Sequence, residues 1–335
     1  MERRLQNKVA ESSATLPVAC VLTIILWWFP QAGFSLDYLL GLLVCFMTAY
    51  VVMEMTTVYA LLRVRSRMNS SLFLFLMAVC GFLHPLYSSG LMTFLLAATL
   101  FTLFKSYEQY DATTDILHAS SCLSLGSLLW PPILLLSPIL LFCQLIFLRS
   151  LSWRMLGAWC MGLLLPYWLW LAYVLFIEDV TPLMTHLANM IEPFHQPFYW
   201  QWMADLTQTS DWQGFTEGFS ERWAILVMHH RPHMIAFTYV FILGLTGLIH
   251  YLRNSYNDKT QVRMCFNVIL TLQVVLAIWI LLQPVYFNRL FPLLILTTAP
   301  AASHFFTLTR TWLTNAWFIL CTLGLVFVGA FTLIQ

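Results

Sequence analysis

The stretch PVYFNRLFPLLILTTAPAASHFF, Pro284 to Phe306, decides how the chain is read. A single cation, Arg289, opens a run of apolar and small residues that approaches the ~20 a helix needs to cross a ~30 Å hydrocarbon core. A lone arginine at the lip of such a run is an anchor in the headgroup layer, a partner for a nearby acid, or a hand for an anionic ligand.

The surrounding sequence repeats the pattern. Of 335 residues, 60% are apolar and 9% charged, against roughly 25% charged in a soluble domain, so the chain reads as a membrane protein. Its net charge of +1 and scattered basic residues exclude a nucleic-acid partner, which would need a concentrated basic face. All eight cysteines lie in apolar runs without a CxxC pair. They read as small buried hydrophobes, and neither a disulfide framework, nor a metal site, nor a cofactor is expected.

Breaking the chain at polar and proline clusters gives about eleven candidate spans, near 16 to 34, 38 to 62, 71 to 88, 90 to 104, 116 to 130, 132 to 148, 155 to 177, 233 to 252, 264 to 282, 290 to 306 and 313 to 334. Arg3, Arg4 and Lys8 before the first run resemble a secretory signal. Without a small-residue cleavage site, that run is expected to stay as the first span. With the N-terminus cytoplasmic, Arg3, Arg4, Lys8, Arg63, Arg65, Arg67, Lys105, Arg149, Arg154, Arg253, Lys259, Arg263 and Arg310 fall inside and only Arg222, Arg231 and Arg289 outside, an asymmetry that supports this orientation. The expected fold is all-α: one polytopic helical bundle over 1–335, with a periplasmic loop of short interfacial helices over 178–233.

That loop is not an ordinary solvated one. Leu183, Leu187, Met190 and Ile191 recur at helical spacing, as do Trp212, Phe215, Phe219 and Trp223, and FHQPFYWQWM lies between the two stripes. Polar-tipped aromatics favour the headgroup layer, so two short helices are expected on the outer boundary. At its end, MHHRPHM groups His229, Arg231 and His233. A metal would need further ligands, leaving an anchor or an anion site.

Glu54, in AYVVMEMTTVY, reads as the one carboxylate deep in a span, and Gln273 on a later span is placed at similar depth, as its hydrogen-bonding partner. Asp37 is expected to cap the second span.

Three passages, LQNKVAESSATLPVACVLTIILWW, FLRSLSWRMLGAWCMGLLLPYWLWL and NRLFPLLILTTAPAASHFF, together resemble an uncharacterised family of multi-pass inner-membrane proteins from Bacteroidota. That resemblance implies location and fold. The arginine before LFPLLILTTA is similar, more distantly, to the closing spans of membrane glycosyltransferases that use polyprenyl-phosphate-linked sugars, in the branch of polysaccharide polymerases and ligases. It implies an anionic lipid ligand held at the periplasmic face, with a late loop bearing Arg and His over the site.

On this reading Arg222, Arg231 and Arg289 bind phosphate through paired guanidinium donors, and His195 or His230 serves as general base. The alternatives are a scaffold subunit docking a membrane or periplasmic protein through the aromatic loop, and a secondary transporter built around Glu54.

Overall fold

The computed structural model describes residues 4–29, 35–64, 66–85, 88–109, 111–195 and 231–333. Every regular element among them is helical. In chain order these are α1 (Leu5–Glu11), α2 (Thr15–Trp28), α3 (Leu36–Val58), α4 (Met68–Val79), α5 (Ser88–Phe104), α6 (Thr113–Leu129), α7 (Leu136–Cys143), α8 (Trp153–Ile177), α9 (Thr181–Ala188), α10 (Glu192–His195), α11 (Arg231–Asn254), α12 (Thr260–Leu282), α13 (Phe287–Leu308) and α14 (Trp312–Leu333).

Proline and left-handed residues mark the breaks. Pro131 and Pro132 open the 3₁₀ turn that leads from α6 into α7, and Pro284 opens the turn between α12 and α13. A proline lacks the N–H that would continue the preceding helix. Arg149, with φ of 51°, ends the segment before α8, and Glu178, with φ of 60°, ends α8 itself. Ser152 caps α8, its hydroxyl accepting from the Met155 N–H. Asp37 does not cap α3 as expected; the cap position is Ser35, and Asp37 sits in the first turn, where a negative charge still favours the helix dipole.

Among the described residues, seven segments are long and apolar enough to cross a membrane, or eight if α1 and α2, which meet at 91°, count as one bent span. The count of about eleven goes beyond that measure. The helices α4 and α5 have only 12 and 17 residues, and α6 is diluted by serine and threonine.

The centre of the bundle is α13. It is the least apolar of the seven spans and the most enclosed, with 94% of its window buried, whereas α8 is more apolar and only 17% buried. The two facts agree: a helix surrounded by protein can carry Thr297, Thr298, Ser303 and His304, all buried, whereas one facing lipid cannot.

Close packing is set by small residues. A Cβ at Gly247 of α11 would come within 2.6 Å of the Ala301 carbonyl carbon, so these two backbones touch. Gly162 does the same for α8 against α6, where a Cβ would meet the Leu117 oxygen at 2.5 Å. Without a hydrophobic drive between helices in lipid, such contact is the main source of association.

Replacing Gly247 by Ala should therefore lower stability in detergent micelles by roughly 1–3 kcal/mol through overpacking. The same change at Gly157, which faces open space, should be neutral or stabilise by up to about 1 kcal/mol. Equal unfolding midpoints for the two variants would contradict the packing.

Candidate functional site

The chain runs between two ends of the bundle, and charge separates them. Arg4, Lys8, Arg63, Arg67, Lys105, Arg149, Arg154, Arg253, Lys259, Arg263 and Arg310 lie in the connections, the adjoining helix turns or the short α1 at one end. That end is tied together by Arg4 to the Arg310 carbonyl, Ser66 to the Ala10 carbonyl, Arg63 to Asp258, and Ser106 to Ser150. Among the described cations only Arg231 and Arg289 start helices at the opposite end.

At that opposite end Arg289 is exposed, and its guanidinium carbon lies 5.7 Å from the centre of the Trp130 ring. Trp130 is buried at the break after α6, with the rings of Tyr286 and Trp279 at 5.2 and 5.6 Å. An aromatic face under a guanidinium attracts it electrostatically and fixes its plane. Glu192 comes near Tyr286, yet no described carboxylate forms an ion pair with Arg289.

Two further contacts assemble this end. Gln283 accepts from Trp279 Nε1 at 2.9 Å and donates to the Pro193 carbonyl, pinning the start of the long loop to the corner between α12 and α13. His233, two residues after Arg231, is stacked on Phe82 at 4.4 Å and edge-on to Phe287. It belongs to an aromatic cluster between helices.

The expected loop is described only in part. Over α9 and α10, Leu183 is buried while Leu187 and Ile191 are exposed. Trp212, Phe215, Phe219, Trp223, Arg222, His229 and His230, and the side chain of His195, lie outside the described residues.

Glu54 and Gln273 do not meet, which corrects the sequence expectation. Glu54 stands in the last full turn of α3, about 6 Å from its end, whereas Gln273 lies about 20 Å along α12 from the same end of the bundle. The error came from extending the second span to residue 62. Gln273 instead packs its amide nitrogen against Gly244, where a Cβ would approach it to 2.2 Å, and its Oε1 is buried without a partner.

The cluster that sequence reading missed lies at the basic end. Asp258, in the short connection after α11, has a side chain only 1% exposed. Arg63 Nε donates to its Oδ1 at 2.5 Å, and His304 of α13 donates from Nε2 to its Oδ2 at 3.2 Å. The Nδ1 of His304 has no partner, and the ring is enclosed by Phe266, Tyr251 and His250 at 5.1, 5.5 and 5.6 Å. Burial pushes the Asp258 carboxyl up, but the hydrogen bonds from His304 and Arg63 outweigh it and hold the carboxyl below its ordinary range.

The three residues are separated by 195 and 46 positions, so no spacing rule could join them. The available signal was a lone histidine in an apolar run and a lone aspartate in a basic turn. Among the described residues no group of three or more His, Cys, Asp or Glu converges as a metal site would require. No family model, curated protein or solved structure matches the chain.

A carboxyl depressed in the folded state stabilises above its unfolded pKa and loses that contribution as pH falls through the folded value. Stability in detergent should therefore drop as pH is lowered from about 4 downward, and Asp258→Asn should flatten that limb. Asp258→Ala leaves Arg63 and His304 without their acceptor. It should cost about 2–4 kcal/mol, below the full value for a buried pair because Arg63 is 38% exposed. Thermal unfolding across pH checks both.

Proposed function

We propose that the chain is a bacterial inner-membrane protein of cell-envelope biogenesis that handles an anionic lipid-linked group, of the polyprenyl-phosphate or lipid-linked glycan class, at its periplasmic end. Charge supports the orientation in this reading: positive residues are retained on the cytoplasmic side, so the basic end, with the N-terminus, is taken as the cytoplasmic one. Counting α4, α5, α6 and the bent α1–α2 pair as passes, alongside the seven longer spans, brings the crossings to about eleven.

The observation that carries the functional reading is Arg289, an exposed guanidinium propped on Trp130 and paired with no described carboxylate. A cation engaged as a structural ion pair would have its donors occupied; this one presents them outward. Arg231 opens α11 at the same end, and the N-termini of α11 and α13 add their own preference for anions. Arg222, and His195 or His230 as general base, would join from the adjoining stretch of the chain.

Purified protein titrated with a polyprenyl phosphate and followed by native mass spectrometry tests the reading. Arg289→Lys keeps the charge and loses the planar fork. Binding should weaken roughly 10- to 100-fold, the loss expected for one or two charge-assisted hydrogen bonds, with the unfolding midpoint unchanged. Undiminished binding by Arg289→Lys and Arg289→Gln would overturn it and favour a scaffold.

A further inference from the structure

The last turn of α3, the connection that follows it and the first turn of α4 enclose a cavity of about 450 Å³ at the basic end. Its walls include Glu54, Thr56, Ser66, Arg67, Asn69 and Ser70. It is separate from the Asp258 cluster and from the arginines of the opposite end.

The hydrogen-bond chemistry of the cavity is one-sided. The Thr56 hydroxyl donates to the Val52 carbonyl at 2.8 Å, so it can only accept from Asn69 Nδ2, also at 2.8 Å. This sets the orientation of the Asn69 amide and leaves its Oδ1 without a partner on a residue only 1% exposed. Ser66 and Ser70 likewise commit their hydroxyl protons to the carbonyls of Ala10 and Arg67. Glu54, half-buried on the opposite wall, makes no hydrogen bond or ion pair. The space therefore offers the Glu54 carboxylate, while the Thr56, Ser66 and Ser70 hydroxyl protons are already committed and Asn69 Oδ1 lies behind the wall with no surface open to it.

The mouth has the reverse character. Arg67 lines the cavity and is exposed, with no acceptor for its guanidinium. It does not reach Glu54: the two are not an ion pair, although both line the same space. A bare metal cation fits poorly, because the cavity is far larger than an ion and Glu54 is the one carboxylate among its described lining residues. An anion alone would meet Glu54.

The geometry points to a binding site for a zwitterion, with a primary ammonium seated against the Glu54 carboxylate and its anionic group held by Arg67, both of which line the same space. A short spacer between ammonium and anion suits the arrangement, as in an ethanolamine phosphate. The position supports this: Glu54 lies about 6 Å inside the end of a membrane helix, the level at which headgroups sit. The same chemistry is carried by an ethanolamine phospholipid and by a free amino acid or phosphoethanolamine.

The test compares headgroups on the full-length protein. In detergent, short-chain phosphatidylethanolamine and phosphatidylcholine are titrated separately and bound lipid is read by native mass spectrometry. The two share charge, but the quaternary ammonium has no N–H to give the Glu54 carboxylate. The ethanolamine lipid should bind at least 10-fold more tightly, and Glu54→Gln and Arg67→Gln should each remove most of that preference while leaving the unfolding midpoint unchanged. Arg289→Lys should not affect it, which keeps the result independent of the periplasmic reading.

Free phosphoethanolamine or glycine that displaces the lipid identifies a soluble zwitterion as a ligand; failure of both to compete while the lipid preference holds identifies the headgroup itself. Equal binding of the two lipids with no response to free phosphoethanolamine or glycine, or a preference unchanged in both variants, would overturn the proposal.

Discussion

The contact of Gly247 with the backbone of Ala301 is the constraint on which the rest of the bundle depends. A helix as enclosed as α13 can be reached from several sides only if its neighbours come close, and Ala299, Ala301, Ala302 and Ser303 keep its surface shallow. Once α13 is fixed, its two ends fix the two polar sites. Arg289 in its first turn is carried to Trp130, and His304 near its last turn is carried to Asp258. One helix thus sets the position of the presented guanidinium and of the buried carboxylate.

The two arginine environments differ because their partners differ. Arg63 gives its Nε to a carboxylate that is almost fully enclosed, and the pair closes the connection between α11 and α12 over the end of α13. Arg289 rests on a ring that offers attraction without using its N–H groups. A guanidinium held by a π face keeps its hydrogen-bonding capacity. Residue type alone could not separate these roles; the difference lies in what stands beside each side chain.

Much of the fold was legible, because apolar runs and the placement of basic residues act over short distances along the chain. The spans over α3, α8, α11, α12, α13 and α14 follow from length and composition. The shorter segments were harder to fix, since serine in α6 and the length of α4 blur the line between a crossing helix and a buried one. Arg289 was legible as an exception in its own run. The Asp258 and His304 pair was not, because it is made by tertiary closure. The depth of Glu54 was misjudged because nothing in VVMEMTTVYALLRV announces that the helix stops at Val58, although Ala60 then turns through a positive φ.

The bend between α1 and α2 has a consequence for how the protein is made. Gln6 on α1 donates from Nε2 to the Phe306 carbonyl at 2.6 Å and to the Thr309 hydroxyl at 2.8 Å, supplying donors to the end of α13 from 300 residues away in the chain. At ribosomal speeds of about 5–20 residues per second, α1 waits roughly 15–60 s before its docking surface exists. During that interval Gln6 and Ala10, both buried in the finished bundle, must be solvated at the membrane surface or shielded by something else. The assembly is therefore closed in space but open in time: the clasp is synthesised early and fastens late, so completion of the bundle is registered by a residue near its start.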